Sequence, residues 1–168
     1  MNTKELTHRW KELHINPDLR SQLRTEIRDS WERSIHYGVD PWMRENPYIY
    51  TPAELKQAQE NSRYFIETAL PVMKSLYEFV AGTGFVVALF DANVCVLKVI
   101  GDDESLGWAK QARFIEGSWW EEKLVGTNGG SLAIDLAEPI SVFGYEHFCL
   151  FSHVAASSCA PVVDQGRI

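Results

Sequence analysis

The hydrophobic period of this chain changes once, and that change limits what it can fold into. Up to Val80, apolar residues recur every third or fourth position, the spacing of one face of a helix. Beyond Gly82 and Gly84 the runs FVVALF (Phe85 to Phe90) and VCVLKVI (Val94 to Ile100) are rich in β-branched residues and flank a short Asp-Ala-Asn connection. That is the signature of an antiparallel hairpin. Helices leading into such a hairpin point to an α+β fold.

The helical half divides at its own punctuation. Asn16 can cap and Pro17 suits a first helical position, after which Leu19, Leu23, Ile27, Trp31 and Ile35 form an apolar stripe that ends at Gly38. One continuous helix is predicted there. The segment GVDPWMRENPYIY, Gly38 to Tyr50, carries two prolines and a glycine and reads as an ordered, aromatic-rich connection. Thr51, Pro52 and Glu54 then make a strong helix start, in which hydroxyl and carboxylate satisfy each other's free backbone amides. The apolar face continues from Leu55 through Met73 to Val80, and Pro71 is expected to bend or divide the helix.

After the hairpin the elements shorten. DDESLGWAKQA, from Asp102, reads as a capped helix, VGTNGGSLAIDLA as a glycine turn feeding another, and PISVFG as a strand entered through a proline. HVAASSCAPVVD is small and β-compatible, and Asp164-Gln165-Gly166 reads as a turn toward a strand that the sequence does not contain. The expected division is a helical segment over 1–50, for dimerisation or signalling, and a sensor domain over 51–168.

At 168 residues, 45% of them hydrophobic, the chain can build one principal core. A net charge of −7 and a pI near 5.2 argue against direct contact with nucleic acid, whose affinity rests on clustered Lys and Arg. No apolar run is long enough for a membrane span and no secretory leader is visible, so a cytoplasmic location is expected. Cys95, Cys149 and Cys159 are odd in number and lack C-x-x-C spacing; they read as reduced, buried thiols.

Several chemistries lack their motifs. Gly126, Gly129 and Gly130 fit neither the G-x-x-x-x-G-K nor the G-x-G-x-x-G phosphate loop, no G-x-S-x-G elbow occurs, and Glu121 and Glu122 are adjacent, a spacing that sends side chains apart. His147, Cys149, His153 and Cys159 are the only residues spaced to be considered as metal ligands, and no metal or cofactor is expected. His153 is read as facing solvent or a backbone carbonyl. Trp119, Trp120, Phe143, Tyr145, His147 and Phe148 gather where segments leave the sheet; such a mixture of apolar walls and polar tips suits a small-ligand cavity as well as ordinary core packing.

Taken in order, these pieces resemble the amino-terminal GAF sensory domain of sigma-54-dependent activators of the acetoin-catabolism and glycerol-metabolism type. SWERSIHYGVDP (Ser30 to Pro41) is similar to that family's W-x-R-S and Gly-Val-Asp-Pro turn, and FDANVCVL (Phe90 to Leu97) to its hairpin. GSWWEEKLVGTN (Gly117 to Asn128) is similar to its G-x-x-W-x-E-x-x-x-G-T-N, GYEHF (Gly144 to Phe148) to its E-H-F, and SSCAPVVD (Ser157 to Asp164) to its cysteine-bearing strand. With Pro161 matched, the family cysteine falls on Ser157 rather than Cys159, two positions apart and on one strand face.

The resemblance implies a GAF-like antiparallel sheet flanked by helices, preceded by long N-terminal helices and lacking its final strand. It also implies a non-enzymatic regulatory role. Trp119 to Asn128 would be the lid over a pocket, with Thr127 and Asn128 capping a helix or donating to a ligand, and Glu122 and Glu146 binding it or tethering the lid. Tyr145, His147, Phe148, Ser157 and Cys159 complete the expected ligand-facing set. The expected partner is a small polar metabolite or a regulatory protein. A homodimer is expected too, built on the stripe of Leu19, Leu23, Ile27 and Trp31. The alternative is an interaction module whose cavity is filled by its own aromatics, and an enzyme using Cys159 or His147 is the remotest reading.

Overall fold

The computed structural model describes residues 1–163, so the turn expected at Asp164, Gln165 and Gly166 lies outside the described residues. In chain order the elements are α1 (Thr3–Ile15), a 3-10 turn (Pro17–Gln22), α2 (Thr25–His36), α3 (Pro52–Asn61), α4 (Arg63–Val80), β1 (Val87–Phe90), β2 (Val96–Ile100), α5 (Asp103–Gln111), α6 (Glu122–Val125), α7 (Gly129–Leu136), β3 (Ile140–Phe143), a second 3-10 turn (Gly144–Glu146) and β4 (Ala156–Cys159). This is an α+β fold whose strands form two antiparallel pairs, β1 with β2 and β3 with β4. They belong to two compact units, residues 45–119 and residues 1–44 with 120–168.

The unit of residues 45–119 follows its local signals closely. Thr51 caps α3 with Glu54 in the expected reciprocal arrangement, Pro52 stands at its start, and Asp102 caps α5. The hairpin pairs Val87 with Ile100 and Phe90 with Val96, and a register shift between Leu89 and Phe90 absorbs one residue. At the turn, the Asp91 carboxylate accepts from the amides of Asn93 and Cys95, both at 2.9 Å, while Val94 takes a positive φ of 59°. α4 packs one face on both strands and buries Met73 there. Pro71 neither divides nor ends this helix. The interruption falls at Ser62, between α3 and α4, and Pro71 sits on the exposed side, where the carbonyl it leaves without an amide partner is open to water.

The second unit corrects the reading of the first half. α1 is an additional helix, started by a capping box of Asn2 and Glu5 and burying Trp10 and Leu13 completely. The continuous helix expected from Pro17 to Tyr37 is instead a 3-10 turn and α2, separated by extended backbone at Leu23 and Arg24 with ψ near 150°. A four-residue spacing survives the break because Leu23, Ile27 and Trp31 still reach one core. Ile27 and Trp31 are 0% exposed, so the stripe is spent inside the chain's own core and is not the dimer face expected from it. Ile35, its last member, is 41% exposed.

α7 and the β3–β4 pair complete this unit. Ser141 and Ser158 share a hydroxyl contact of 2.8 Å on the outer face, while Val142 and its register partner Ser157 lie on the side that packs toward α7. Among the described residues no helix is long and apolar enough to cross a membrane.

Candidate functional site

The two motifs with the most distinctive sequence, W-x-R-S on α2 and W-x-E-x-x-x-G-T-N around α6, meet each other. The Ser30 hydroxyl donates to Glu122 Oε1 at 3.0 Å and lies 2.8 Å from Thr127 Oγ1, and Ser34 lies 3.3 Å from the same Thr127 hydroxyl. Arg33 clamps the Glu122 carboxylate from Nε and Nη2, with the shortest contact 2.8 Å. The spacing of Ser30, Arg33 and Ser34 puts all three on one side of a helix, which is why W-x-R-S works as a docking edge. Glu122 is buried, and that burial pushes its carboxyl above the ordinary value while Arg33 and Ser30 pull it back. Its ligand in this fold is an arginine of the same chain.

The turn after α6 is fixed with equal economy. Gly126 closes α6 with its amide on the Glu122 carbonyl at 2.8 Å and adopts φ 69°, ψ −168°, a region essentially restricted to glycine. Asn128 caps α7 by accepting from the Ser131 amide, and its amide nitrogen donates to the carbonyls of Trp120 at 2.7 Å and Gly126 at 2.9 Å. Thr127, also expected at this helix start, is fully buried and serves the contact with α2 rather than the cap.

Glu146 repeats the pattern at the second 3-10 turn. Arg24 forks onto both its oxygens at 3.1 and 2.8 Å and also donates to the Ser141 carbonyl, and the Phe143 amide donates to Oε2 at 2.9 Å. The Trp31 indole N–H donates to the Glu146 carbonyl at 2.7 Å, and Trp10 and His14 both reach the Phe148 carbonyl at 3.0 Å. Phe148 stacks edge-on against Trp31 and His14 at 5.2 and 4.9 Å. His153 faces the Leu150 carbonyl, one of the two environments expected of it, and Thr7 Oγ1 at 2.7 Å.

His147 is buried between the Gly144 carbonyl, 3.2 Å from Nδ1, and the Ser157 hydroxyl, 3.4 Å from Nε2. Those partners suit the neutral tautomer that carries its proton on Nδ1. Ser157 Oγ and Cys159 Sγ converge on Gly129 at the start of α7, where an added Cβ would lie 2.6 and 2.9 Å from them. Burial pushes the Cys159 thiol up to about 11 and Cys95 to about 12, so neither is a thiolate near neutrality. The expected set is thus partly assembled: Trp120, Glu122, Thr127, Asn128, Glu146, His147, Phe148, Ser157 and Cys159 lie in one unit, as does the half-buried Tyr145. Trp119 belongs to the other, held by Asn46 at its carbonyl and stacked on Tyr50 at 5.1 Å. Arg24, Ser30, Arg33 and Ser34 were absent from that set. The W-x-R-S motif already contained two of the four, Arg33 and Ser34, and Ser30 directly precedes it.

Two histidines, the half-buried His14 and the buried His147, make the unit acid-sensitive. Burial lowers both His14 and His147 to about 4, against the opposing pull of their carbonyl partners and, for His147, of Glu146; Arg20 and His153 add to the lowering. The unfolded chain therefore binds more protons than the folded one between pH 6.5 and about 4, and stability falls as pH drops through that window. Urea unfolding at pH 7 and pH 4.5 is expected to differ by on the order of 3 kcal/mol, and the slope should flatten in the His14→Gln, His147→Gln variant.

Comparison with known proteins agrees with this architecture. Residues 14–165 match the family model described as MimR, N-terminal domain. The chain is 32% identical over 142 residues to the acetoin dehydrogenase operon transcriptional activator AcoR of Bacillus subtilis, covering 84% of this chain and 24% of that protein. It is 27% identical over 125 residues to the propane 2-monooxygenase operon transcriptional activator MimR of Mycolicibacterium smegmatis, covering 74% of this chain and 20% of that protein. The solved E. coli DhaR(N)–DhaL complex contains a chain of the same fold, with a TM-score of 0.80 at 20% identity over 86% of this chain and 49% of that one. The chain thus spans about a quarter of the length of such relatives, and it belongs to the family of MimR N-terminal domains.

Proposed function

We propose that the chain is the signal-input domain of a transcriptional activator, a non-enzymatic, cytoplasmic and homodimeric module of GAF-like arrangement. The observation that carries this reading is the junction of Ser30, Arg33, Glu122 and Thr127, which ties α2 to the turn that launches α7. Whatever displaces that turn alters the packing of α2, and through it the helices leading to an output module. A ligand acts by preferring one such packing over another.

In this reading the ligand is a small polar metabolite that meets Ser157, Cys159 and His147 in front of Gly129, with Trp120, Phe148 and Tyr145 as apolar surroundings. Glu122, Thr127, Asn128 and Glu146 hold the frame. The relatives named for acetoin and for glycerol metabolism make hydroxylated two- to four-carbon compounds the first to try. Titration calorimetry with acetoin, glycerol and dihydroxyacetone is expected to give saturable heat with at least one, weakened about tenfold or more by Ser157→Val. Silence from all of them rejects the metabolite reading.

One observation favours a second reading, that of a protein-interaction module. The relative DhaR(N) was crystallised with the protein DhaL, and the carboxylates and amide of this turn are already bonded within the chain. Specific retention of a partner protein, without heat from any metabolite, is the outcome that reading predicts.

A further inference from the structure

The outer face of α4 carries a run of exposed large apolar side chains. The inner side of the helix packs on β1 and β2, while Tyr64, Val72, Leu76 and Phe79 on the outer side are 82%, 61%, 52% and 87% exposed. With the exposed Thr68 between the first two and the exposed Ser75 beside Leu76, they recur at helical spacing along the length of the element, an apolar stripe interrupted by two hydroxyls. A stripe of this extent on the surface marks an interaction site.

The charges beside the stripe say what covers it. Arg63, Glu67, Lys74 and Glu78 recur along one flank of the helix. Arg63 and Glu78 stand at nearly equal distances on either side of Pro71, and so do Glu67 and Lys74, and Tyr64 and Phe79. When two identical helices pack antiparallel about a two-fold axis, each flank meets its own copy in reverse order. Arg63 then faces the second copy's glutamate from position 78, Glu67 faces its lysine from position 74, and the aromatic ends of the stripe meet. A parallel pairing would instead set this flank against the opposite flank of the second copy, and these four charges would not meet. The two aromatics of each copy can bury about 150–250 Å² apiece, and with Val72 and Leu76 the pair approaches the lower range of specific interfaces, roughly 1,200 Å².

We infer that the outer face of α4 is the self-association surface of this domain, and that a second copy of the chain covers it in antiparallel register around Pro71. The inference rests on the homodimer of the proposed function and adds the surface and the register. All four apolar residues are exposed, so substituting them leaves the fold's own packing intact.

Sedimentation equilibrium of the intact chain at 5–50 µM, roughly the range over which weak specific dimers form, tests both levels. The expected result is a dimer, with Phe79→Glu monomeric and its far-UV circular dichroism unchanged. Glu67→Lys should weaken the dimer about tenfold by setting two lysines face to face, and adding Lys74→Glu in the same chain should restore it, since the pair is then only reversed. A dimer indifferent to Phe79→Glu and to Val72→Lys places self-association elsewhere and overturns the surface while leaving the dimer. A dimer lost in both reversed-charge chains overturns the register. A monomeric parent chain removes the dimer and the surface together.

Discussion

Gly126→Ala is expected to leave little folded protein. At φ 69° and ψ −168° a side-chain-bearing residue costs about 1–3 kcal/mol in backbone strain alone. The added methyl would also stand 2.6 Å from Cβ and Cδ1 of Phe148. That ring is 1% exposed and held between Trp31 and His14, so it has nowhere to move. Overpacking of this kind costs a further ~1–3 kcal/mol. The sum, about 2–6 kcal/mol, reaches the whole stability of an ordinary domain. The measurement is the urea midpoint, or the soluble fraction where no midpoint can be obtained. Gly107→Ala is the matched control: it lies within α5, nothing stands within 4 Å of an added Cβ, and the change is expected to be neutral or to stabilise by about 0.5–1 kcal/mol.

The second large effect is an asymmetry within one ion pair. Arg33→Met removes the clamp from a carboxylate that is only 7% exposed and leaves Glu122 with a single hydroxyl donor. An uncompensated buried charge costs about 3–5 kcal/mol when its partner is fully enclosed. Arg33 is 39% exposed, so water partly replaces it and about 2–3 kcal/mol is expected here. Glu122→Gln, by contrast, leaves the arginine with access to solvent and to Asp135 at 3.4 Å, and keeps an oxygen for Ser30. About 1 kcal/mol is expected for that change. Equal losses in the two variants would mean that burial of the carboxylate is not what makes the junction costly to break.

What was legible in the sequence was local. The reciprocal cap of Thr51 and Glu54, the hairpin around Asp91 and the start of α7 at Asn128 each depend on residues within four positions of one another, and each stands as expected. The capping box of Asn2 and Glu5 was equally local, yet the helix it opens was not among the expected elements. The helix break at Leu23 and Arg24 could not be read in advance. Leucine and arginine are ordinary helix formers, and the extended backbone there accompanies a guanidinium engaged by Glu146 far along the chain. Burial misled in the same way: a stripe from Leu23 to Trp31 looks identical in sequence whether a second copy or the chain's own Phe148 covers it. Trp119 and Trp120 are adjacent, yet they serve different compact units.

The candidate site shows the same division. W-x-R-S and W-x-E-x-x-x-G-T-N were recognisable separately as motifs, but only the fold pairs them, with Ser30 and Arg33 on Glu122 and Thr127. Their chemistry is that of a joint between helix and turn. A double-mutant cycle on Arg33 and Glu122, followed by urea unfolding, tests that joint most directly. The chain carrying both Arg33→Met and Glu122→Gln should be more stable than Arg33→Met alone, by about 1 kcal/mol or more, because the second change removes the stranded charge. Additive losses, with the double variant weaker than either single one, would contradict the account.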